Sequence, residues 1–344
     1  MNIGILGFAH GHVGGYCSEW QAHPEMDMRL AAGWDSDPAR LRKPVDTYGI
    51  QVFPSPEALL ADRGIDAVVI AAETSEHARL VELAAAAGKG VILQKPIALT
   101  LEEADRIVAA VEKSGIAFTL AWQMRVDPQN LQIKEILQSG VLGRVFMVRR
   151  RHGLATHTWK DFDKAWHVNP KLNRDIWADD AAHPFDFIYW LMGMPAGIYA
   201  EISSLLNPRI PNDNGIAVFR YADGRLAEVT CSFTCVAGEN TTEIVGEKGV
   251  LIQSYGDGPS AGAPRAPGAA GLKWFLQETG KWTVSDIPSP SGQWPRITGL
   301  AGPLAEFLHG RRPAIASAAE GRDVLRMILA SYEANETGRR VSIQ

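Results

Sequence analysis

The chain has 344 residues, a length that points to two domains or one large one. Its hydrophobic share of 46% and charged share of 21% match globular usage and exclude a disordered, collagen-like or highly charged fibrous chain. With 34 basic and 39 acidic residues the net charge is −5, and no uncharged apolar run nears the roughly 18 residues of a membrane helix, so neither nucleic acid nor membrane is an expected partner.

Cys17, Cys231 and Cys235 are too few and too scattered for a disulfide framework. Cys231 and Cys235 fall in the alternating segment 227–235, where a strand period of two turns both thiols to one face. They read as small core residues rather than a metal or redox pair. The apolar segment 3–8 has no basic region before it, so no secretory signal is read and a reducing cytoplasm is expected.

The amino-terminal third alternates strand and helix. Residues 3–8 form an apolar run that passes into a glycine-rich turn and then an amphipathic segment ending near Ala22. This is the strand–turn–helix setting of a dinucleotide fingerprint. Gly7 can make the tight turn, Ala9 stands where the second glycine lets the backbone approach a pyrophosphate, and His12 stands at the third glycine's place. The pattern is therefore a degraded G-x-A-x-x-H. Residues 28–35 read as a second strand ending in Asp35, an acid placed to bind ribose hydroxyls and repel a 2′-phosphate, which favours NAD over NADP. A strand over 65–72, a helix over 75–87, a strand over 90–93, a helix over 101–113 and a strand over 116–121 follow. Thr100 and Glu103 have capping-box spacing at the second of these helices. The alternation predicts an α/β domain with a doubly wound parallel sheet, whose ligand lies at the carboxyl ends of its strands. Gly7, Phe8, Ala9, His10, Gly11, His12, Asp35, Ala72, Glu73, Gln94, Lys95, Trp122, Gln123 and Arg125 all fall at or beside those ends.

Five motifs in order carry a resemblance. Gln94-Lys95-Pro96 follows the fourth strand, and Arg125-Val126-Asp127-Pro128 follows the fifth. Ser139-Gly140-Val141-Leu142-Gly143 closes a helix, and Asp179-Asp180-Ala181-Ala182-His183-Pro184-Phe185-Asp186 comes later. The segment 317–321 through 337–341 completes the set. The chain resembles the Gfo/Idh/MocA family of NAD(P)-dependent oxidoreductases over nearly its whole length. Gln94 stands where that family has Glu, and Ala181 where it has Gly.

The resemblance implies a Rossmann domain over residues 1–121 that binds NAD in preference to NADP. It implies an α+β domain over 122–344, for substrate and oligomer contact, built on a large, mostly antiparallel sheet. The C-terminal helix is a candidate to pack back on the first domain. Lys95, Asp179 and His183 are the implied catalytic group: His183 accepts the hydroxyl proton, Lys95 polarises the oxygen and Asp179 orients and charge-stabilises the pair. The family's Lys-Pro peptide is often cis, so a cis Pro96 is expected. His77, in a Thr74-x-x-His77 arrangement, is a candidate near the nicotinamide, with helix-face packing as the alternative.

Helical spacing gives separate support, because Asp179, His183, Asp186 and Trp190 fall on one face at 100° per residue. Pro184 restricts the helix start to residues 180–183, which puts Asp179 just before it. The stretch 150–178 is rich in His, Trp and Arg. Such side chains suit a polyhydroxy or acidic ligand, because indole rings stack on sugar C–H faces and guanidinium groups pair with carboxylates. His152, Trp166 and Trp177, with Lys95, Trp122, Arg125, Asp179 and His183, are the candidate substrate contacts, core or lid packing being the alternative for the tryptophans. His152, His157, His167 and Asp163 lack zinc-motif spacing, so no metal is expected. Segments 145–150, 197–203, 214–221, 226–235, 241–246 and 249–253 read as strands, with hairpin turns at 222–224 and 247–249. The glycine-, proline- and alanine-rich segment 256–271 reads as a surface loop.

The expected function is hydride transfer between a CH–OH group of a sugar, polyol or sugar acid and NAD, by a homo-oligomer (dimer or tetramer). Two alternatives stay open: transient oxidation that enables isomerisation or elimination, and a non-catalytic nucleotide-sensing regulator of the same fold.

Overall fold

The computed structural model describes residues 1–237, 240–254 and 271–343. The predicted loop at 256–271 lies outside the described residues except for Gly271. The chain divides into two compact units. The first comprises Met1–Gln123, Pro170–Asn173 and Ile297–Leu325, the second Met124–Asn169, Arg174–Arg296 and Arg326–Gln344.

The first unit is built on six strands: β1 (Asn2–Leu6), β2 (Arg29–Trp34), β3 (Gln51–Val52), β4 (Ala67–Ile70), β5 (Gly90–Leu93) and β6 (Phe118–Leu120). They pair in the order β3-β2-β1-β4-β5-β6, every pair parallel. β4 is buried at every residue, and β1 at all but its first, as strands covered on both faces must be. The covering helices are α1 (Val13–Ala22), α2 (Arg42–Tyr48), α3 (Pro56–Leu60), α4 (His77–Ala86) and α5 (Leu101–Ser114). A short 3-10 turn, Thr74–Glu76, precedes α4. Both hydrogen bonds of the capping box at Thr100 and Glu103 are formed. The returning segment covers α1, where Trp20 Nε1 donates to Ala301 O at 2.9 Å.

Strand order reverses between β1 and β4, and a crevice opens at their carboxyl ends. The chain leaves β1 through Gly7 at φ +88°, and a Cβ there would stand 2.4 Å from Ala72 Cα. Gly7 N donates to Trp34 O at 2.7 Å, and His10 N to Ala71 O at 2.9 Å. The turn is thereby hydrogen-bonded to the ends of both flanking strands.

Among the described residues the second unit holds nine strands: β7 (Val145–Gly153), β8 (Gly197–Ser203), β9 (Asn214–Arg220), β10 (Leu226–Ser232), β11 (Thr241–Gly246), β12 (Gly249–Gln253), β13 (Leu272–Leu276), β14 (Lys281–Val284) and β15 (Val341–Ser342). Their order is β14-β13-β12-β11-β7-β10-β9-β8-β15, and only β7 and β10 pair in parallel. The sheet is therefore mixed and mostly antiparallel. Helices α6 (Pro128–Gln138), α7 (Ile176–Asp180) and α8 (Ala182–Met192) belong to this unit, and α8 packs on β7 and β10. Val148, Arg150 and His152 of β7 and Ala227, Val229 and Cys231 of β10 form part of the buried face. The other face exposes Ile216, Val218 and Trp282.

Two strand expectations need correction. The ladder of β10 stops at Ser232, not Cys235, because Phe233 is buried and prolongs the apolar alternation beyond the last paired residue. Cys235 is half-buried and lies off the strand, so it does not share the core position of Cys231. No described helix is long and apolar enough to cross a membrane.

Gly7→Ala should cost about 2 kcal/mol or more in urea unfolding, because it adds a left-handed residue and a backbone clash. An unchanged midpoint would show that the β1–β4 junction relaxes freely.

Candidate coenzyme and catalytic site

The features for a dinucleotide lie in the first unit. Helix α1 begins after His12 with no side-chain cap and no acidic residue in its first turn, and a Cβ at Gly11 would meet nothing within 4 Å. The first N–H groups of α1 bond within the turn, Val13 N to His10 O at 3.2 Å, Gly14 N to Gly11 O at 3.3 Å and Gly15 N to His12 O at 2.9 Å, so what the helix start offers an anion is its dipole. His10 is buried, and its ring lies edge-on to His12 with centroids 4.4 Å apart. Phe8 N donates to Asp35 Oδ2 at 2.6 Å and Asp37 N to Asp35 Oδ1 at 2.7 Å. Burial pushes the Asp35 carboxyl above its usual range, against the pull of these donors and of Arg40. Arg40 Nη1 lies 3.4 Å from Asp35 Oδ1, and Arg40 Nη2 donates to Glu73 Oε1 at 2.6 Å.

Gln94 is fully buried at the end of β5 and donates through Nε2 to the Tyr16 hydroxyl at 2.6 Å. Burial pushes the Tyr16 phenol well up, so it stays protonated and can accept. A carboxylate at position 94 could not donate this bond. Gln94 Oε1 is buried with no partner among the described residues. Lys95 beside it is also buried, and the Lys95–Pro96 peptide is cis, as expected.

His77 joins two strand ends. Its Nδ1 lies 2.9 Å from Pro96 O and its Nε2 3.2 Å from Ala72 O, both in a fully buried site. The ring thus braces the ends of β4 and β5 against each other. Burial lowers its pKa to about 4, so it is neutral. Trp122 and Gln123 are buried after β6.

The second unit holds the Asp-His motif. Asp175 caps α7, accepting from Ala178 N at 2.9 Å, and also accepts from Tyr332 Oη and Asn212 Nδ2. Asp179 therefore lies inside a short helix of its own rather than in bare chain before α8. Its Oδ2 is 3.1 Å from His167 Nδ1. The His167 ring stacks on Trp166, with centroids 4.0 Å apart, and on Phe162. His183 is buried in the first turn of α8, its Nε2 3.6 Å from Asp180 Oδ1 and its ring 5.9 Å from His152. Pro184 sits in that same turn, where its missing N–H leaves no helix bond unmade.

Two expected ligand contacts prove to be structural. Arg125 donates through Nη2 and Nε to Asp186 at 2.8 and 3.0 Å, both groups buried, and so anchors α8. Trp177 is fully buried, donates to Ser331 Oγ at 3.0 Å and packs on Phe185, which makes it core rather than a stacking platform. Among the described residues no group of three or more His, Cys, Asp or Glu could hold a metal ion.

The sequence reading assigned no role to Arg40 or Asp180, and both had a usable signal. Asp180 is one helical turn before His183, and Arg40 lies five residues after Asp35 in the region where dinucleotide folds place an arginine.

Residues 1–121 match the oxidoreductase family with the NAD-binding Rossmann fold, and residues 130–252 match the GFO/IDH/MocA C-terminal domain. The chain belongs to the Gfo/Idh/MocA family. Its relatives in that family include an uncharacterized oxidoreductase of Bacillus subtilis, 27% identical over 64% of this chain and 65% of its own length. They also include a myo-inositol 2-dehydrogenase of Thermotoga maritima, 26% identical over 90% of this chain and 94% of that one. The fold is that of an oxidoreductase from Agrobacterium radiobacter in complex with NAD+, L-tartaric acid and magnesium. That structure has a TM-score of 0.85 and 24% identity, with 100% of this chain and 98% of that chain covered. The dinucleotide-binding features of the first unit fit the coenzyme of a Gfo/Idh/MocA oxidoreductase: the Gly7 turn, the uncapped α1, Asp35 and the orphaned Gln94 Oε1.

Two predictions follow from the buried groups. Asp186→Ala takes the carboxylate away from a buried guanidinium and should cost roughly 3–5 kcal/mol in denaturant unfolding; a loss under about 1 kcal/mol would show that this ion pair does not anchor α8. His77 takes up its proton near pH 6.5 when unfolded but near 4 when folded. Between those values the unfolded state binds more protons, so stability falls as pH falls. From pH 7 to pH 5 the wild type should lose about 2 kcal/mol more than His77→Gln. Equal losses would show that His77 is not the buried neutral ring described.

Proposed function

We propose that this protein is an NAD-dependent dehydrogenase acting on a CH–OH group of a sugar, polyol or sugar acid. The observation that carries the reading is the pairing, at the end of β5, of buried Lys95 with Gln94, whose buried Oε1 has no partner among the described residues. A family coenzyme would supply that partner as well as the hydride acceptor. Gly7, Phe8, Ala9, His10, Gly11 and His12 would line the pyrophosphate, Asp35 the adenosine ribose, and Ala72, Glu73, Gln94 and Gln123 the rest of the crevice wall. Asp35 favours NAD over NADP, since its carboxylate repels a 2′-phosphate. The myo-inositol dehydrogenase among the relatives supports a polyhydroxy substrate.

The chain's own groups then divide the work. The Lys95 ammonium polarises the substrate hydroxyl and stabilises alkoxide character as the C–H bond breaks. His183 accepts the hydroxyl proton. The role proposed for Asp179 is to orient and charge-stabilise the catalytic group, and its Oδ2 lies 3.1 Å from His167 Nδ1. His152, Trp122 and Trp166 are the proposed substrate contacts. Trp177 and Arg125 act at one remove, through core packing and through α8. We place the protein in the cytoplasm as a homo-oligomer, with the sheet face that exposes Ile216 and Val218 as its contact.

An NAD+ reduction screen across sugars, polyols and aldonic and uronic acids tests the substrate class. With the best substrate, Lys95→Ala and His183→Ala should each lower kcat at least about 100-fold, the low end of general acid–base contributions. Near-normal turnover in both would remove the catalytic assignment. Asp35→Ala should weaken NAD far more than NADP, and an unchanged preference would remove Asp35 from the ribose.

A further inference from the structure

Arg40 presents a contradiction that the structure resolves. An arginine near the acid at the end of the second strand is the group with which dinucleotide folds accept a 2′-phosphate. By residue type and position, Arg40 belongs to an NADP site. By residue type and position, Asp35 belongs to an NAD site.

The geometry shows where the Arg40 charge goes. Nη2 donates to Glu73 Oε1 at 2.6 Å, Nη1 lies 3.4 Å from Asp35 Oδ1, and Nε lies 3.9 Å from Asp37 Oδ2. Three carboxylates thus surround one guanidinium, a local net charge of −2. The strongest of these bonds is the one to Glu73, which lies just past β4, across the β1 turn from Asp35. The Glu73 side chain is 8% exposed and the Asp35 side chain 1%, so both carboxylates are fixed in the protein wall. The Arg40 side chain is 29% exposed, which leaves it room to turn once released.

We propose that Glu73 is a second coenzyme-specificity residue: it holds Arg40 against the far wall of the crevice and adds its own charge against a 2′-phosphate. The chain therefore carries a latent 2′-phosphate-binding arginine, silenced by a glutamate 33 residues further on. The inference rests on the reading that the adenosine ribose lies at the end of β2. It goes beyond that reading by assigning discrimination to a pair that does not touch the ribose through Asp35.

Dissociation constants of NADH and NADPH, measured by fluorescence titration, test this without any substrate. Glu73→Gln keeps the side chain's size and removes its charge. It should lower the NADPH-to-NADH ratio of dissociation constants about tenfold, because a released guanidinium can pair with the phosphate. The gain should vanish in Glu73→Gln/Arg40→Ala. An unchanged ratio in Glu73→Gln, or a gain that persists without Arg40, overturns the proposal. If the variants fail to fold, the wild type still decides. With a net negative edge, raising salt should narrow its NADPH-to-NADH ratio, whereas a free Arg40 facing the phosphate would widen it. The underlying placement fails separately: Asp35→Ala leaving both coenzymes' constants unchanged would remove the ribose from β2, while the Glu73 result reports only on Arg40.

Discussion

Where β1 ends, a side chain at position 7 would stand 2.4 Å from Ala72 Cα. Only a glycine lets the two strand ends come this close, and the rest of the first unit is arranged around that approach. Gly7 turns the chain over the end of β4, and His10 N then fastens the turn to Ala71 O. This releases α1 with its first turn uncapped. Phe8, one residue past the glycine, donates its N–H to Asp35, so the same turn fixes the acid at the end of β2. On the other side, Ala72 O faces His77, whose other ring nitrogen faces Pro96 O next to Lys95. A single close contact thus connects to Asp35 in one direction and to the segment of Lys95 in the other.

Much of this was legible from the residues. Alternating apolar runs and helical segments specify the parallel sheet, and Gly7 and Asp35 are recognisable by type and by position at strand ends. The Thr100–Glu103 box and Pro184 near the start of α8 were readable because capping and proline placement are local. The pairs that decide the site are not local. Arg125 meets Asp186 across 61 residues, Arg40 meets Glu73 across 33, and His167 meets Asp179 across 12 from a loop. A single sequence holds residue types but no distances, so Arg125 and Trp177 read as ligand contacts when their partners lie within the protein. The overlong strand at 226–235 has a related cause, since Phe233 extends the apolar pattern past the last hydrogen-bonded pair.

Charge in the two units is handled in different ways. In the second unit, two buried ion pairs join distant segments: Arg125 with Asp186 at 2.8 Å, and Arg296 with Asp127 at 3.3 Å. Removing either member of such a pair leaves an uncompensated ion, so these residues fix geometry. In the first unit the match is unequal: one guanidinium, that of Arg40, meets the carboxylates of Asp35, Asp37 and Glu73.

The central claim is direct hydride transfer from a substrate carbon to the coenzyme, and isotope tracing tests it most directly. The best-oxidised polyol or sugar would be prepared with deuterium on the reacting carbon and turned over with NAD+. The account predicts that the deuterium is found on the reduced nicotinamide. Reduced coenzyme without the label, or label released to solvent, would contradict it.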